Sequence, residues 1–560
     1  MRGALRIAGG ALAALCALMA WRVSVLPRQE AAGAGLPATD VTVAYHVHSN
    51  RSDGTGTPDE IAAAAAAAGV TVVVLTDHGD GTRTVDPPRY LHGVLVVDAV
   101  EISTWGGHYV ALGAAAAPYP LGGEPASVVD DVRWLGGLGV VAHPRSARDA
   151  LRWRDWDAAF DGVEWLNADS EWRDRPRDLW TSLLTYPWRP VETLTALLDR
   201  PAAELAEWDR LATRRPVVGL AALDAHARAG LRGVGEPYDG WAAVRRPSYA
   251  DAFATFTNVV RLDGPLSGDA PRDAAALLEA LRAGRAYAVV TGQRAAGAAS
   301  FTVEAGGVTW IPGAWAPPPP GLPIVFRAVT EAPPTATTRI VCDGSVVAES
   351  PGGRMEWTTA TPPGACRWEV DLGSPFRTPW TVTNPVYVRG DDRRPDILGL
   401  PAATVRTPLA PGDPGAWHIE RAPGTAADLE PAAGGGVSFR WHLGAGDSPY
   451  AAARVDLAPG VLTESDRIAV RGSADRPIRA WIQLRTPDAG GRRWGQSLRL
   501  EPGETGREFE LPLERFLPLD GQAGPVPRGQ VTALLVVVDT VHARPGTAGV
   551  LTWDGMTAAR

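Results

Sequence analysis

"VTVAYHVHSNRSDG" spans Val41–Gly54, and the architecture turns on how it is read. The first residues are β-branched or aromatic at most positions, a composition that suits a strand. His46 and His48 stand at its end, and residues two apart on a strand point to the same face. Two imidazoles aimed together can grip a cation. An HxH taken alone is a weak motif, so the residues that close each later apolar run must decide.

Such runs recur as far as about Gly292: "VTVVVLT" (70–76), "GVLVVDAV" (93–100), "HYVALG" (108–113), "GVVAHP" (139–144), "DGVEWLN" (161–167) and "PVVGLAALD" (216–224). Helical patterns lie between them. The first has clear ends, with Thr57 as N-cap, Pro58 at N1, Glu60 at N3 and Gly69 past the last alanine. Alternating strand and helix signals predict a parallel sheet or a β/α barrel. In such a barrel the C-terminal ends of the strands meet at one mouth. The residues at those ends are His46 and His48 with Asp53 just after, then Asp77 and His78, Glu101, His108, His143, and finally Asp224 and His226. Six of the chain's ten histidines stand there, while His92, His418, His442 and His542 fall outside the pattern. A donor set of imidazoles and carboxylates without thiolate predicts Mn, Zn or Fe and not a structural zinc.

Taken in order, "HVHSNRSDG", "LTDHGD", "VEIST", "GHYVALG", "VAHP" and "LDAH" resemble the PHP (polymerase and histidinol phosphatase) family of metal-dependent hydrolases over residues 41–296. The "GHYVALG" form, the apolar N-terminus and the trailing β-rich region are similar to its carbaryl-hydrolase-like branch. The resemblance implies a distorted (β/α)7 barrel and two or three divalent ions. On this chain it implies His46, His48, Glu101 and Asp224 around one ion, Asp53, His78 and His226 around a second, and His108 and His143 around a third with Glu101 bridging. Asp77 is expected to orient an imidazole.

Clustered divalent ions lower the pKa of a bound water to about 7 and withdraw charge from a substrate oxygen. The leading expectation is therefore a phosphoesterase acting through a metal-bridging hydroxide, with no side-chain nucleophile. The same machinery serves a carboxylic ester or carbamate, whose tetrahedral intermediate also needs an oxyanion stabiliser. Arg51 and Arg145 are near enough in sequence to reach an anionic small-molecule ester. Glu164 and Asn167 end another strand, where they touch substrate or order the metal surroundings. The segment 167–190, "NADSEWRDRPRDLWTSLLTYPWRP", interrupts the rhythm as an insertion over the mouth, and Tyr186, Trp188 and Arg189 are its candidates for lining a pocket.

Beyond residue 297 the pattern turns to short strands and turns. A β-sandwich is expected over 297–390, a Pro/Gly/Asp-rich linker over 391–414, and a jelly roll of galactose-binding-like character over 415–560. Trp441, Trp481 and Trp494 in the last region suggest stacking on a glycan, and a cell-surface glycan-binding protein with an inactive barrel is the alternative of another class. Residues 1–36 place Arg2 and Arg6 before an apolar stretch from Ile7 to Trp21, the layout of a signal peptide or membrane anchor. The expected location is extracytoplasmic: secreted, periplasmic or held to the membrane by this segment alone. Cys342 and Cys366, the only cysteines beyond it, are expected to pair there. The net charge of −9 argues against a nucleic-acid scaffold. The chain has no lysine, which reads as a compositional bias towards arginine.

Overall fold

The computed structural model describes residues 16–26, 29, 35–173, 182, 184–228, 246–390, 402–487, 491–503, 507–521 and 524–560. Most of the N-terminal segment and residues 391–401 of the expected linker therefore lie outside the described residues. No described helix is long and apolar enough to cross a membrane.

The first region carries eleven strands: β1 (Asp40–Val47), β2 (Val72–Leu75), β3 (Arg89–Leu91), β4 (Val94–Asp98), β5 (Val100–Thr104), β6 (Gly107–Leu112), β7 (Leu138–Val141), β8 (Gly162–Asn167), β9 (Val218–Ala222), β10 (Thr257–Arg261) and β11 (Ala286–Val289). The helix Pro58–Ala67 begins at the Thr57–Glu60 capping box that the sequence predicts, and Gly69 beyond its end takes a φ of 73°.

These strands form two sheets and do not close into one ring. β3-β4-β2-β1-β10-β11 lie in one sheet and β5-β6-β7-β8-β9 in another. Two isolated bridges, Val47–Ala225 and His78–Glu101, stitch the sheets together. The expected distorted (β/α)7 barrel is not seen as a closed ring: β1–β2, β2–β4, β7–β8 and β8–β9 are parallel, but β1–β10, β10–β11, β5–β6 and β6–β7 are antiparallel. Part of the reason is the length of the connections: only Trp105 and Gly106 separate β5 from β6, too few for the crossover that a parallel pair needs. At the rim, His46, His143 and Asp224 have φ values of 65°, 27° and 48°. Both bridges that remain involve the chemistry-bearing ends.

The sheet containing β1 does not stop at β11. β11 pairs with the strand Thr381–Thr383, which pairs with Gly364–Asp371, so one twelve-stranded sheet runs into the next region. A four-stranded sheet centred on Ala299–Ala305 and Ile324–Thr330 faces it over a core containing Phe301, Phe326 and Trp368. Cys342 and Cys366 sit opposite each other in adjacent strands and are joined by a disulfide.

The C-terminal region is two six-stranded antiparallel sheets around a separate core that includes Phe439, Trp441, Trp494 and Trp553. Trp441, Trp481 and Trp494 are each no more than 2% exposed, so none offers a ring to a glycan. Trp481 is buried because it stacks on Trp105 of the first region, with centroids 5.2 Å apart and planes 9° from parallel. Beside that stack, the buried Arg479 donates to Asp131 (2.7 Å), Asp130 (2.8 Å) and the Ser127 carbonyl (3.1 Å). Glu124 accepts from the backbone and hydroxyl of Ser497. An arginine taken out of water and given several acceptors locks two regions in one orientation, because any shift leaves a buried charge unpaired.

Two outcomes are expected. Thiol titration of the unreduced, unfolded chain finds one reactive thiol, Cys16, and reduction exposes two more. His542 is buried against Trp481 and Tyr119, and burial first, then the Arg479 charge, pushes its pKa down to about 3. The unfolded ring, near 6.5, takes a proton that the folded ring refuses, so this penalty is absent above pH 6.5 and grows as pH falls toward 3. Between pH 7 and pH 5 the protein loses about 2 kcal/mol more stability than His542→Phe, measured by denaturant unfolding.

Candidate metal centre

The end of β1 delivers two fully buried imidazoles. His46 Nε2 lies 3.1 Å from His48 Nε2, 3.3 Å from Glu101 Oε2 and 3.4 Å from Asp224 Oδ1. His48 Nε2 lies 3.2 Å from the same Glu101 oxygen and 3.3 Å from the same Asp224 oxygen. Ligand atoms 2.0–2.2 Å from one ion and 90–110° apart stand about 2.8–3.6 Å from each other. The donors therefore fit a shared cation.

Proton placement supports the same fit. His46 Nδ1 is 2.6 Å from Glu164 Oε1, and that carboxylate already accepts from His143 N (2.7 Å) and Asn167 Nδ2 (2.9 Å). An N–H on His46 Nδ1 donates to that carboxylate, which leaves Nε2 as the ring atom directed into the cluster. Burial opposes charge on His48, yet Asp224 and Glu101 outweigh it and push the ring up to about 10. Burial likewise opposes ionisation of Glu101 and Asp224, and the imidazoles, His46 foremost, hold both well below the usual carboxylate range. The pocket calls for positive charge.

A second group gathers Asp53, His78 and His226 beside His48. Asp53 Oδ2 is 3.1 Å from His226 Nε2, and Oδ1 is 3.4 Å from His48 Nδ1 and 3.8 Å from His78 Nε2. His226 Nδ1 donates to the Asp224 carbonyl (2.8 Å), leaving Nε2 to face Asp53. Burial pushes His78 down to about 4. A third group forms on the other oxygen of Glu101, whose Oε1 is 2.9 Å from His108 Nδ1 and 3.0 Å from His143 Nε2. His143 Nδ1 is buried without a hydrogen-bond partner. Glu101 thus stands between groups, Oε2 toward His46, His48 and His78, Oε1 toward His108 and His143.

The residues around the cluster depart more from the sequence reading. Asp77 bonds no imidazole directly: it accepts from Ser49 N (2.7 Å), Ser49 Oγ (2.6 Å) and Ser52 Oγ (2.7 Å), with Ser52 Oγ 3.4 Å from His48 Nδ1, and so pins the loop from His48 to Asp53. Arg51 pairs with Asp86 and reaches Asp98 (3.4 Å). Arg145 lies near Glu207 (3.5 Å) and over the Trp156 ring. Glu164 and Asn167 reach residues of the cluster, with Asn167 Nδ2 also 3.4 Å from Asp224. Tyr186 donates to Asp251, Trp188 is exposed, and Arg189 bonds the carbonyls of Val23 and Leu26. Sequence reasoning missed Tyr249, whose hydroxyl donates to the His48 carbonyl (2.7 Å) and accepts from Thr55 N and Gly56 N. A tyrosine in the short helix Tyr249–Phe253 carries no motif to reveal it. Gly54 is required where it stands, since a Cβ there would lie 2.1 Å from the His48 carbonyl oxygen.

No family model matches the sequence, and no curated protein matches it either. Among solved structures, a two-domain protein of Bacteroides vulgatus, described as containing a predicted PHP-like metal-dependent phosphoesterase, is similar at 14% identity over 64% of this chain and 99% of its own, with a TM-score of 0.27. A family 11 carbohydrate-binding module from Clostridium thermocellum is similar at 15% identity over 28% of this chain and 96% of its own, TM-score 0.23. A family 30 module from the same organism matches at 7% identity over 27% and 96%, TM-score 0.21. Likeness at this level decides nothing about this chain, and the metal centre rests on its own geometry.

Glu164 gives the sharpest test of that geometry. Glu164→Ala removes the acceptor that keeps the His46 proton on Nδ1 and is expected to weaken metal affinity about 10–100-fold in competition with a chromogenic chelator. Glu164→Gln, which keeps the shape and an acceptor oxygen, loses less.

Proposed function

We propose that the protein is a metal-dependent hydrolase of ester bonds, similar to the carbaryl-hydrolase-like branch of the PHP family, with phosphate esters as its first substrate class. The observation that carries this reading is the convergence of His46, His48, Glu101 and Asp224 at 3.1–3.4 Å in a buried, charge-demanding pocket. In this proposal these four hold one ion, Asp53, His78 and His226 a second, and His108 and His143 a third with Glu101 shared. Mn, Zn or Fe suits the nitrogen and oxygen donors. Ions bound there lower the pKa of water toward neutrality and draw charge from the ester oxygen.

The chain's own residues supply orientation. Glu164 keeps the His46 proton on Nδ1, the Asp224 carbonyl does the same for His226, and Asp77 and Tyr249 fix the loop that presents His48 and Asp53. None of them needs to act as a nucleophile.

Arg51 and Arg145 bear on the substrate. Both pair with carboxylates outside the cluster, so neither is aimed at a phosphate there. That observation keeps the carboxylic ester or carbamate as a second reading. The glycan-binding alternative loses its three tryptophans to burial, and the three donor groups that could hold a metal support the hydrolase reading over it.

The full chain, loaded in turn with Mn, Zn and Fe, is expected to cleave nitrophenyl phosphate or a phosphodiester and to stop when a chelator is added. Asp224→Ala should lower that rate at least about 100-fold. Hydrolysis of acetate or carbamate esters alone would move the assignment to the second reading, and no cleavage of any ester by metal-loaded protein would end the hydrolase proposal.

A further inference from the structure

Residues 16–25 form a helix, and it is apolar on nearly every side: Cys16, Ala17, Leu18, Met19, Ala20, Trp21, Val23 and Val25. Leu18, Trp21 and Val25 are 44%, 56% and 54% exposed, and none belongs to any buried core among the described residues. A helix that is apolar all round needs an apolar medium around it. Its last turn, by contrast, is held by a specific joint. Arg189 Nη1 donates to the carbonyls of Val23 (3.1 Å) and Leu26 (2.8 Å), groups that a helix end leaves without an intrahelical donor. Glu192 fixes the other side of the guanidinium at 2.9 Å and 3.2 Å. Gln29 adds a bond to the Thr291 carbonyl (2.8 Å). Next to the joint stands Trp188, at 66% the most exposed large apolar side chain among the described residues.

We infer that the N-terminal helix is retained as a lipid-embedded anchor, docked end-on to the hydrolase region by Arg189, and that Trp188 rests in the interface of the same bilayer. The apolar run Ile7–Trp21, continued by Val23, Val25 and Leu26, approaches the roughly 20 residues that hydrocarbon requires. Trp21 with Arg22 at 5.4 Å over its ring, and Trp188 beside Arg189, place aromatic and arginine side chains together where the helix leaves that run, as membrane interfaces favour. The Cys342–Cys366 disulfide puts the globular part on the oxidising side. Arg189 therefore serves attachment and not substrate. A cleaved leader would discard the helix whose carbonyls it bonds.

The test uses the full chain and vesicles of phosphatidylethanolamine and phosphatidylglycerol. The mature protein is expected to keep residues 2–26 by intact mass and to float with the vesicles. The double variant Leu18→Asp, Val25→Asp should cut the floated fraction at least tenfold without altering metal loading. A polarity-sensitive probe on Trp188→Cys, in a Cys16→Ser background, should shift to the blue when vesicles are added. Arg189→Ala should still float, with tryptic cleavage after Arg28 at least threefold faster. A mature chain that begins after Leu26, a full chain that stays in the dense fraction, a probe unmoved by lipid, or a cleavage rate unchanged in Arg189→Ala would each overturn the inference. Metal loading is measured on the same samples, so the fate of the hydrolase proposal is read separately.

Discussion

Glu101 holds the site together. A fully buried carboxylate at the head of β5 divides its two oxygens among five imidazoles from β1 and the residue after it, from β6, and from the loops after β2 and β7. Burial alone would keep it protonated, yet the rings hold it ionised. Each of those rings in turn must present a lone pair or a proton on the correct side. The elements that carry them have no freedom to drift, because a carboxylate in this pocket without its partners is among the costliest groups a protein can bury.

The surrounding structure is spent on aiming those rings. Three residues of the cluster, His46, His143 and Asp224, take positive φ, a conformation that disfavours a side chain and persists only where the neighbours enforce it. Glu164 joins two of these strained ends, bonding the His46 ring and the His143 backbone at once. Tyr249 and Asp77 hold the loop between His48 and Asp53 from opposite ends.

The C-terminal region belongs to this scaffold more than a tethered module would. Trp105 lies at the turn between β5 and β6, the hairpin that carries Glu101 and His108, and Trp481 covers it. Arg544 pairs with Asp80, two residues past His78. The buried Arg479–Asp131 contact fixes the orientation from which both contacts are made. The tryptophans that resemble a sugar platform in sequence are committed to packing, one of them to this junction.

The donor set and the strand ends that bear it are legible in the amino-acid order. An imidazole or carboxylate that closes one apolar run after another is a periodic, local signal, and His46, His48, Asp53, His78, Glu101, His108, His143, Asp224 and His226 fall through it into groups linked by His48, His78 and Glu101. The first helix is legible too, since its cap and its stop are written in adjacent residues. Where long side chains point was settled only by folding. Arg51 and Arg145 stand beside the site in sequence and Arg189 in the insertion, yet all three turn to carboxylates or carbonyls elsewhere, because an arginine's reach exceeds the spacing that chain position specifies. Folding settled, too, that Asp77 grips serines, that Tyr249 holds the His48 loop, and that the strands make two sheets with no closed ring. Those outcomes depend on pairings between residues far apart in the chain, which a local pattern does not carry.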